Sequence, residues 1–392
     1  MLTRSKIKGM VVGGAIGDAA GKPVETWTPE KILEVHPNGI GVGKYLPPIG
    51  HKWFTEEEHP PGTTTDDEQL KTANMFGLIE GKDAAERMQS FEEYHHAMAI
   101  RHVLALKESD AGWGNTTRET VKQIANGCPW YKAGSEIKWG GTGNGVPMKV
   151  APLAAWFCSP ASKVFTDAEH FYFYHQIVRH AAMTHNTDLA AWAGIVHTVA
   201  VKYCLMSDLA AFSTDEFLAL VAEDAFEWGE EKSKGRPNYY SLEGLRKHKG
   251  PATVGGTDDD PDFVDDSLEL RMLWLFQHRG ELTTAGSLSF TTQELGQLRC
   301  RFNNGSCYVL DSLPFSYAFF IKNPFTPQSI IDVIEAGGDT DTNGSFVGEM
   351  VGALNGIEVF ETDEWRWMID GLQCYDRLIE MADLFCDTMG IE

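Results

Sequence analysis

Gly9, Gly13, Gly17 and Gly21 recur at every fourth position near the start of the chain, and Gly344, Gly348 and Gly352 repeat that spacing near its end. On an α-helix, residues four apart share a face, so each run lays down a flat stripe without side chains. A glycine inside a helix costs up to about 1 kcal/mol relative to alanine. A series of them is tolerable only where another backbone packs directly onto the stripe, which predicts two central helices in close contact. The same spacing pairs helices inside membranes, but Asp18 and Glu349 interrupt these runs and oppose that reading.

The rest of the pattern is helical. Thr166-x-x-Glu169 and Ser213-x-x-Glu216 read as capping boxes, and Thr326-Pro327 reads as a cap and first-turn proline ahead of Ser329–Ala336. Alternating, strand-like runs are scarce. The strongest helix spans about 168–206, where Ala181, Ala182, Ala190, Ala191 and Ala193 would allow close packing. Residues 229–266 break the pattern with glycine, proline and charge of both signs, as expected of a surface insertion within one domain covering residues 1–392. The Asp258-Asp259-Asp260 run inside it reads as a solvated loop.

A net charge of −23, without a basic block, argues against a nucleic-acid surface. Seven cysteines without a CxxC pair argue against a disulfide framework or a thiolate zinc site, and point to a reducing, cytoplasmic compartment. The first residues imitate a signal peptide, but the apolar stretch is short, glycine-rich and ended by Asp18. No continuous apolar run reaches the length of a membrane span.

Chemistry concentrates in two acidic clusters, Thr64-Thr65-Asp66-Asp67-Glu68 and Asp339-Thr340-Asp341-Thr342, each placed after residues that break regular structure. Carboxylate and hydroxyl oxygens are hard ligands suited to Mg²⁺, Mn²⁺ or Ca²⁺. If the fold joins the clusters, four aspartates converge on one pocket, which calls for cations between them. A two-metal hydrolase site is the expectation. Helix capping alone would need one such residue per helix, and each cluster holds two. An EF-hand is excluded because Met350 stands where the closing glutamate belongs.

Two further segments draw notice. Gly141-Thr142-Gly143-Asn144-Gly145 could let backbone N–H groups approach a ligand or could be an ordinary turn. His175, His180 and His185 are spaced by five, about 140° apart on a helix, so they cannot share a metal face. His185 is singled out by its small neighbours, with a core histidine as the alternative.

Together, GGAIGDAAGKPVE (13–25), TTTDDEQL (63–70), GWGNTTRET (112–120), GTGNGVPMKVAPL (141–153), MTHNTDLAAWA (183–193), GSCYVLDSLPFSYA (305–318) and GGDTDTNGSFVGEMVGALNG (337–356) resemble the ADP-ribosylglycohydrolase family, nearly end to end. The resemblance implies an all-α, compact single-domain orthogonal helical bundle with a binuclear Mg²⁺ or Mn²⁺ cleft. It implies that Thr65, Asp66, Asp67, Asp339, Asp341 and Thr342 hold the metals. Glu25 would lie at the cleft, and Gly141, Thr142, Gly143, Asn144, Gly145 and His185 would hold the diphosphate and adjoining ribose. The departures from the family pattern are Glu68 where threonine is common, Lys149 where arginine is usual, Pro147 before Met148, and residues 229–286, which have no clear counterpart.

The reaction so implied is hydrolysis of the glycosidic bond between ADP-ribose and an acceptor, with arginine on protein as first choice and serine or nucleotide linkage as alternatives. Asp67 and Asp341 are the candidate general bases, assisted or gated by Glu25. The metals would orient the distal ribose and stabilise developing charge. The expected partners are ADP-ribosylated protein and ADP-ribose, and the chain is expected to act as a monomer. Rival readings are a non-catalytic ADP-ribose binder, since the fold also serves as a lens protein, and a two-metal phosphoester hydrolase.

Overall fold

A computed structural model describes residues 1–88, 90–136, 141–164, 171–224, 267–283 and 289–392. The α-helices begin with α1 (Arg4–Gly21), α2 (Pro29–Val35), α3 (Asp66–Met88), α4 (Glu92–Glu108), α5 (Asn115–Ala125) and α6 (Trp130–Ala133). They continue with α7 (Ala151–Cys158), α8 (Phe171–Ala182), α9 (Asp188–Met206), α10 (Thr214–Ala219), α11 (Leu268–Leu282) and α12 (Thr292–Arg301). The C-terminal part adds α13 (Val309–Lys322), α14 (Gln328–Glu335), α15 (Thr340–Asn355), α16 (Arg366–Asp370) and α17 (Tyr375–Met389). Among the described residues no strand forms, and the one β-type contact is an isolated antiparallel bridge between Gly143 and Tyr308. The expected all-α fold is present.

The two glycine stripes meet. Helices α1 and α15 run antiparallel, with Gly9 facing Gly352, Gly13 facing Gly348, Gly17 facing Gly344 and Gly21 facing Thr340. A Cβ at Gly13 would overlap the Gly348 carbonyl, and one at Gly348 would overlap the Gly13 carbonyl. The backbones are thus in direct contact, and dispersion over that length offsets the cost of placing glycine in a helix. Almost the whole of both helices is buried, from Gly9 to Gly21 and from Thr340 to Leu354. The pair forms the axis of a core in which α1 also packs on α17, and α15 on α13, α14 and α9.

Several local expectations hold with shifts. Ser213 caps α10 by accepting from the Glu216 amide at 3.2 Å. Thr326 accepts from the Gln328 amide at 3.3 Å, so α14 starts at Gln328 with Pro327 at its cap position, one residue from the anticipated arrangement. The expected single helix over 168–206 is two, because Met183–Thr187 turns between α8 and α9 and Thr187 caps α9. That turn carries His185. By length and mean hydropathy α9 could cross a membrane, but Lys202 interrupts its apolar run and 78% of that window is buried inside the protein, against α7, α8 and α15. The Thr166-x-x-Glu169 box and the 229–266 insertion lie outside the described residues.

Candidate metal centre and ligand cleft

Pairing α1 with α15 brings the chain's two ends together, and each acidic cluster opens a buried helix. Asp66 and Asp67 are the first residues of α3; Asp339 precedes α15 and Asp341 lies in its first turn. Gly337 and Gly338, at φ +79° and +91°, turn the chain into α15 through backbone that an L side chain would strain. Thr340 Oγ1 then donates to the Gly21 carbonyl at 2.8 Å, docking the start of α15 on the end of α1.

The N-terminus of α3 is capped from another helix. Asp18, fully buried on α1, accepts from the Thr65 amide at 2.9 Å, the Thr65 hydroxyl at 2.8 Å and the Glu68 amide at 3.0 Å. Asp66 and Asp67 are therefore not needed as caps. Asp67 Oδ2 accepts from the Thr342 hydroxyl at 3.1 Å, while its buried Oδ1 has no hydrogen-bond partner. Asp339 stands at the cap position of α15 and makes no capping bond. The surplus of carboxylates over caps, inferred from the sequence, is real.

Glu25 reaches the same place by backbone pairing. The Thr26 amide donates to the Gly338 carbonyl at 2.7 Å, and the Gly338 amide to the Trp27 carbonyl at 3.0 Å. Thr26 adopts φ +66°, a left-handed conformation that costs a β-branched residue about 1–3 kcal/mol. Half-buried Glu25 is thereby held against the start of α15, and oxygens of Glu25, Asp339 and Asp341 lie within 4.8 Å of one another.

Like charge in a buried space raises every carboxyl pKa here. Burial, then Asp339, Asp66 and Asp18, push Glu25 up to about 9. Burial and Asp18 push Asp66 up to about 7, against hydrogen bonds from its own and the Gly114 amide. Asp67 is driven well above the ordinary range by burial, Asp18 and Asp66, and Asp341 by burial, Glu25, Asp339 and Asp67. Among the described residues three buried lysines stand nearby: Lys71 is spent on Glu349 at 2.6 Å, and burial lowers Lys22 to about 8 against the pull of Asp18 and Asp341 and Lys149 to about 7 against that of Asp66. An unpartnered buried carboxylate oxygen, crowded oxygens and too little positive charge fit divalent cations held by hard ligands.

The glycine loop joins this cluster. Asn144 Nδ2 donates to Asp339 Oδ2 at 2.6 Å and to Ser312 Oγ at 3.2 Å. Its backbone amide donates to the Cys307 carbonyl at 3.0 Å, and the Thr142 carbonyl accepts from the Val309 amide at 3.1 Å. The loop is thus pinned to the segment ahead of α13, with Gly143 at the isolated bridge, rather than an open cradle. His185 lies across it: a Cβ at Gly141 would stand 2.8 Å from His185 Cδ2, and one at Gly145 would stand 2.6 Å from Cε1. Among the described residues the carboxylates that meet closely enough to share a metal are Glu25, Asp339 and Asp341; Asp66 and Asp67 fall outside that group, Asp67 being linked to it through Thr342.

Glu68 accepts from Arg377 at 3.3 Å, from the Thr64 hydroxyl at 3.4 Å and from the Thr72 hydroxyl. Sequence reasoning missed Asp18, Lys22 and Lys71. The available signal for Asp18 was a lone aspartate in an otherwise apolar glycine-stripe helix, which is costly unless it has a dedicated set of donors.

A family model described as ADP-ribosylglycohydrolase matches residues 1–390. The chain belongs to the ADP-ribosylglycohydrolase family. A solved structure titled "ADP-ribosylglycohydrolase-related protein complex" superposes with a TM-score of 0.56 at 19% identity, covering 98% of each chain, a likeness of fold. No curated protein matches. Membership makes the chain an ADP-ribosylglycohydrolase-type hydrolase of a metal-dependent family whose substrates carry ADP-ribose, and Glu25, Asp339 and Asp341 are an acidic group able to take a metal.

Proposed function

We propose that this ADP-ribosylglycohydrolase uses two divalent cations, Mg²⁺ or Mn²⁺, to remove ADP-ribose from a modified acceptor, with arginine on protein as the foremost candidate. The observation that supports the reading is the acidic group of Glu25, Asp339 and Asp341, joined to Asp67 through the Thr342 hydroxyl and to the glycine loop by Asn144 to Asp339. Thr65, Asp66, Asp67, Asp339, Asp341 and Thr342 are the assigned cation ligands. Bound cations would supply Lewis acidity and fix the orientation of the distal ribose.

The chain's own groups account for the remaining roles. Asp67 or Asp341, each buried and kept ionised only by the cations it would hold, accepts the proton of the attacking water. Glu25, held at the edge by the strained Thr26, moves a proton at the leaving group or gates entry. Gly141–Gly145 and His185 line the side on which the diphosphate and adjoining ribose would lie. Seven free cysteines support a reducing compartment such as the cytoplasm, and we treat the working unit as a monomer.

The test is ADP-ribose release from arginine-modified and serine-modified protein, with Mg²⁺, with Mn²⁺ and with EDTA, for wild type and Asp341→Ala. Cation-dependent release from the arginine substrate, lost in Asp341→Ala, supports the proposal. Release from the serine substrate alone moves the acceptor assignment. A product with a terminal phosphate would indicate phosphoester hydrolysis. Tight ADP-ribose binding without release from any substrate would leave a binding protein.

A further inference from the structure

His185 is connected through Thr184 to a buried lysine. Lys149 is fully buried, and its Nζ donates to Thr184 Oγ1 at 2.8 Å. Thr184 Oγ1 in turn lies 3.0 Å from His185 Nδ1. Thr184 is itself wholly buried, and these are the two side-chain partners of its hydroxyl among the described residues.

A hydroxyl has one proton to give. With its oxygen accepting from Lys149, the Thr184 hydroxyl has its proton free, and His185 Nδ1 is the acceptor within reach. In the arrangement where the Lys149 ammonium donates and the Thr184 proton goes to the ring, Nδ1 is bare and the neutral imidazole carries its proton on Nε2. Burial keeps the ring neutral, holding its pKa down to about 3, and Lys149 pushes the same way. Of the other ionisable groups facing Lys149, burial also keeps His102 and His180 neutral, while burial lowers Lys149 itself to about 7 against the pull of Asp66. Nε2 faces the glycine loop, since a Cβ at Gly145 would stand 3.0 Å from it. Side chains at Gly141 or Gly145 would crowd the ring, so the two glycines let the loop backbone lie against the buried His185.

We infer that Lys149 and Thr184 are positioning residues that lock His185 as an Nε2–H donor, aimed at an anionic or hydroxyl oxygen of a ligand lying along Gly141–Gly145. The inference rests on the proposed function for the identity of that ligand, whereas the tautomer is a property of the protein alone.

The test combines ¹⁵N spectroscopy of the histidine side chains with ADP-ribose binding and steady-state kinetics, in wild type, Thr184→Val, Thr184→Ser, Lys149→Met and Lys149→Arg. The His185 signal is assigned by its loss in His185→Gln. Wild type should show the Nε2–H tautomer. Thr184→Val and Lys149→Met should show a tautomer mixture, ADP-ribose Kd raised about fivefold to tenfold, and KM raised with kcat little changed, the loss of one uniform binding hydrogen bond. Thr184→Ser and Lys149→Arg should restore the tautomer and affinity, and serve as folded controls should Thr184→Val or Lys149→Met not fold. An Nδ1–H signal in wild type overturns the inference, as do unchanged tautomer and Kd in Thr184→Val. If the tautomer follows the pattern while ADP-ribose binds no variant, the proposed ligand fails and the relay stands.

Discussion

Gly13→Ala is the sharpest probe of the architecture, because a single methyl group has nowhere to go. Its Cβ would overlap the carbonyl carbon and oxygen of Gly348, which are backbone atoms of a buried helix and cannot rotate aside. Overpacking of a core costs about 1–3 kcal/mol, and the rigidity of the obstacle argues for the upper end. Alanine's better helix propensity returns at most about 1 kcal/mol. The net expectation is a loss of about 2 kcal/mol, roughly a thirtyfold fall in the folding constant. Gly296→Ala, on an exposed face of α12 with nothing near its Cβ, has only the propensity term and should gain up to about 1 kcal/mol. Urea unfolding followed by circular dichroism measures both. The pair Gly13→Ala and Gly348→Ala should combine non-additively, since both spread the same contact. A Gly13→Ala midpoint at or above wild type would refute the claim that the stripes are in backbone contact.

Other expectations follow from the site. With EDTA present, the melting temperature should fall from about pH 5 to pH 9. A carboxyl with its pKa raised on folding contributes stability that is present near its unfolded value of about 4 and lost as pH rises through about 7 for Asp66 and about 9 for Glu25. Saturating Mn²⁺ should remove most of that slope, and scanning fluorimetry in the two conditions checks it. Asp18→Ala should cost about 1–2 kcal/mol by uncapping α3, and should weaken cation binding although Asp18 is not an assigned ligand; denaturation and Mn²⁺ titration read the two effects. Thr26→Gly should stabilise the fold by about 1 kcal/mol by relieving φ +66°, while lowering ADP-ribose release because Glu25 is held less firmly; a destabilised but fully active variant would contradict this.

Much of this was legible in the residues, for reasons that differ from element to element. The stripes were readable because glycine in a helix has a cost that only close packing offsets, and the partner was the other stripe. The acidic clusters were readable because surplus carboxylates at a helix start have few uses. The break between α8 and α9 was hidden by uninterrupted apolar content on both sides of Met183–Thr187, with the Thr187 cap too slight a signal to outweigh it. Asp18 was hidden because its role spans two helices: it satisfies amides at Thr65 and Glu68 that no local pattern could pair with it. The same holds for Lys149 and Thr184, whose contact depends on how the glycine loop and the turn after α8 pack.

The measurement closest to the central claim is Mn²⁺ binding to the purified protein, by calorimetry and electron paramagnetic resonance, for wild type, Asp67→Asn and Asp341→Asn. One site built by both ends of the chain predicts two ions per chain in wild type, with spin coupling between them. It also predicts that either substitution weakens binding and abolishes the coupling, although Asp67 and Asp341 lie on different helices. Undiminished two-ion binding in either variant, or wild-type ions that bind without coupling and respond to only one of the two substitutions, would contradict it.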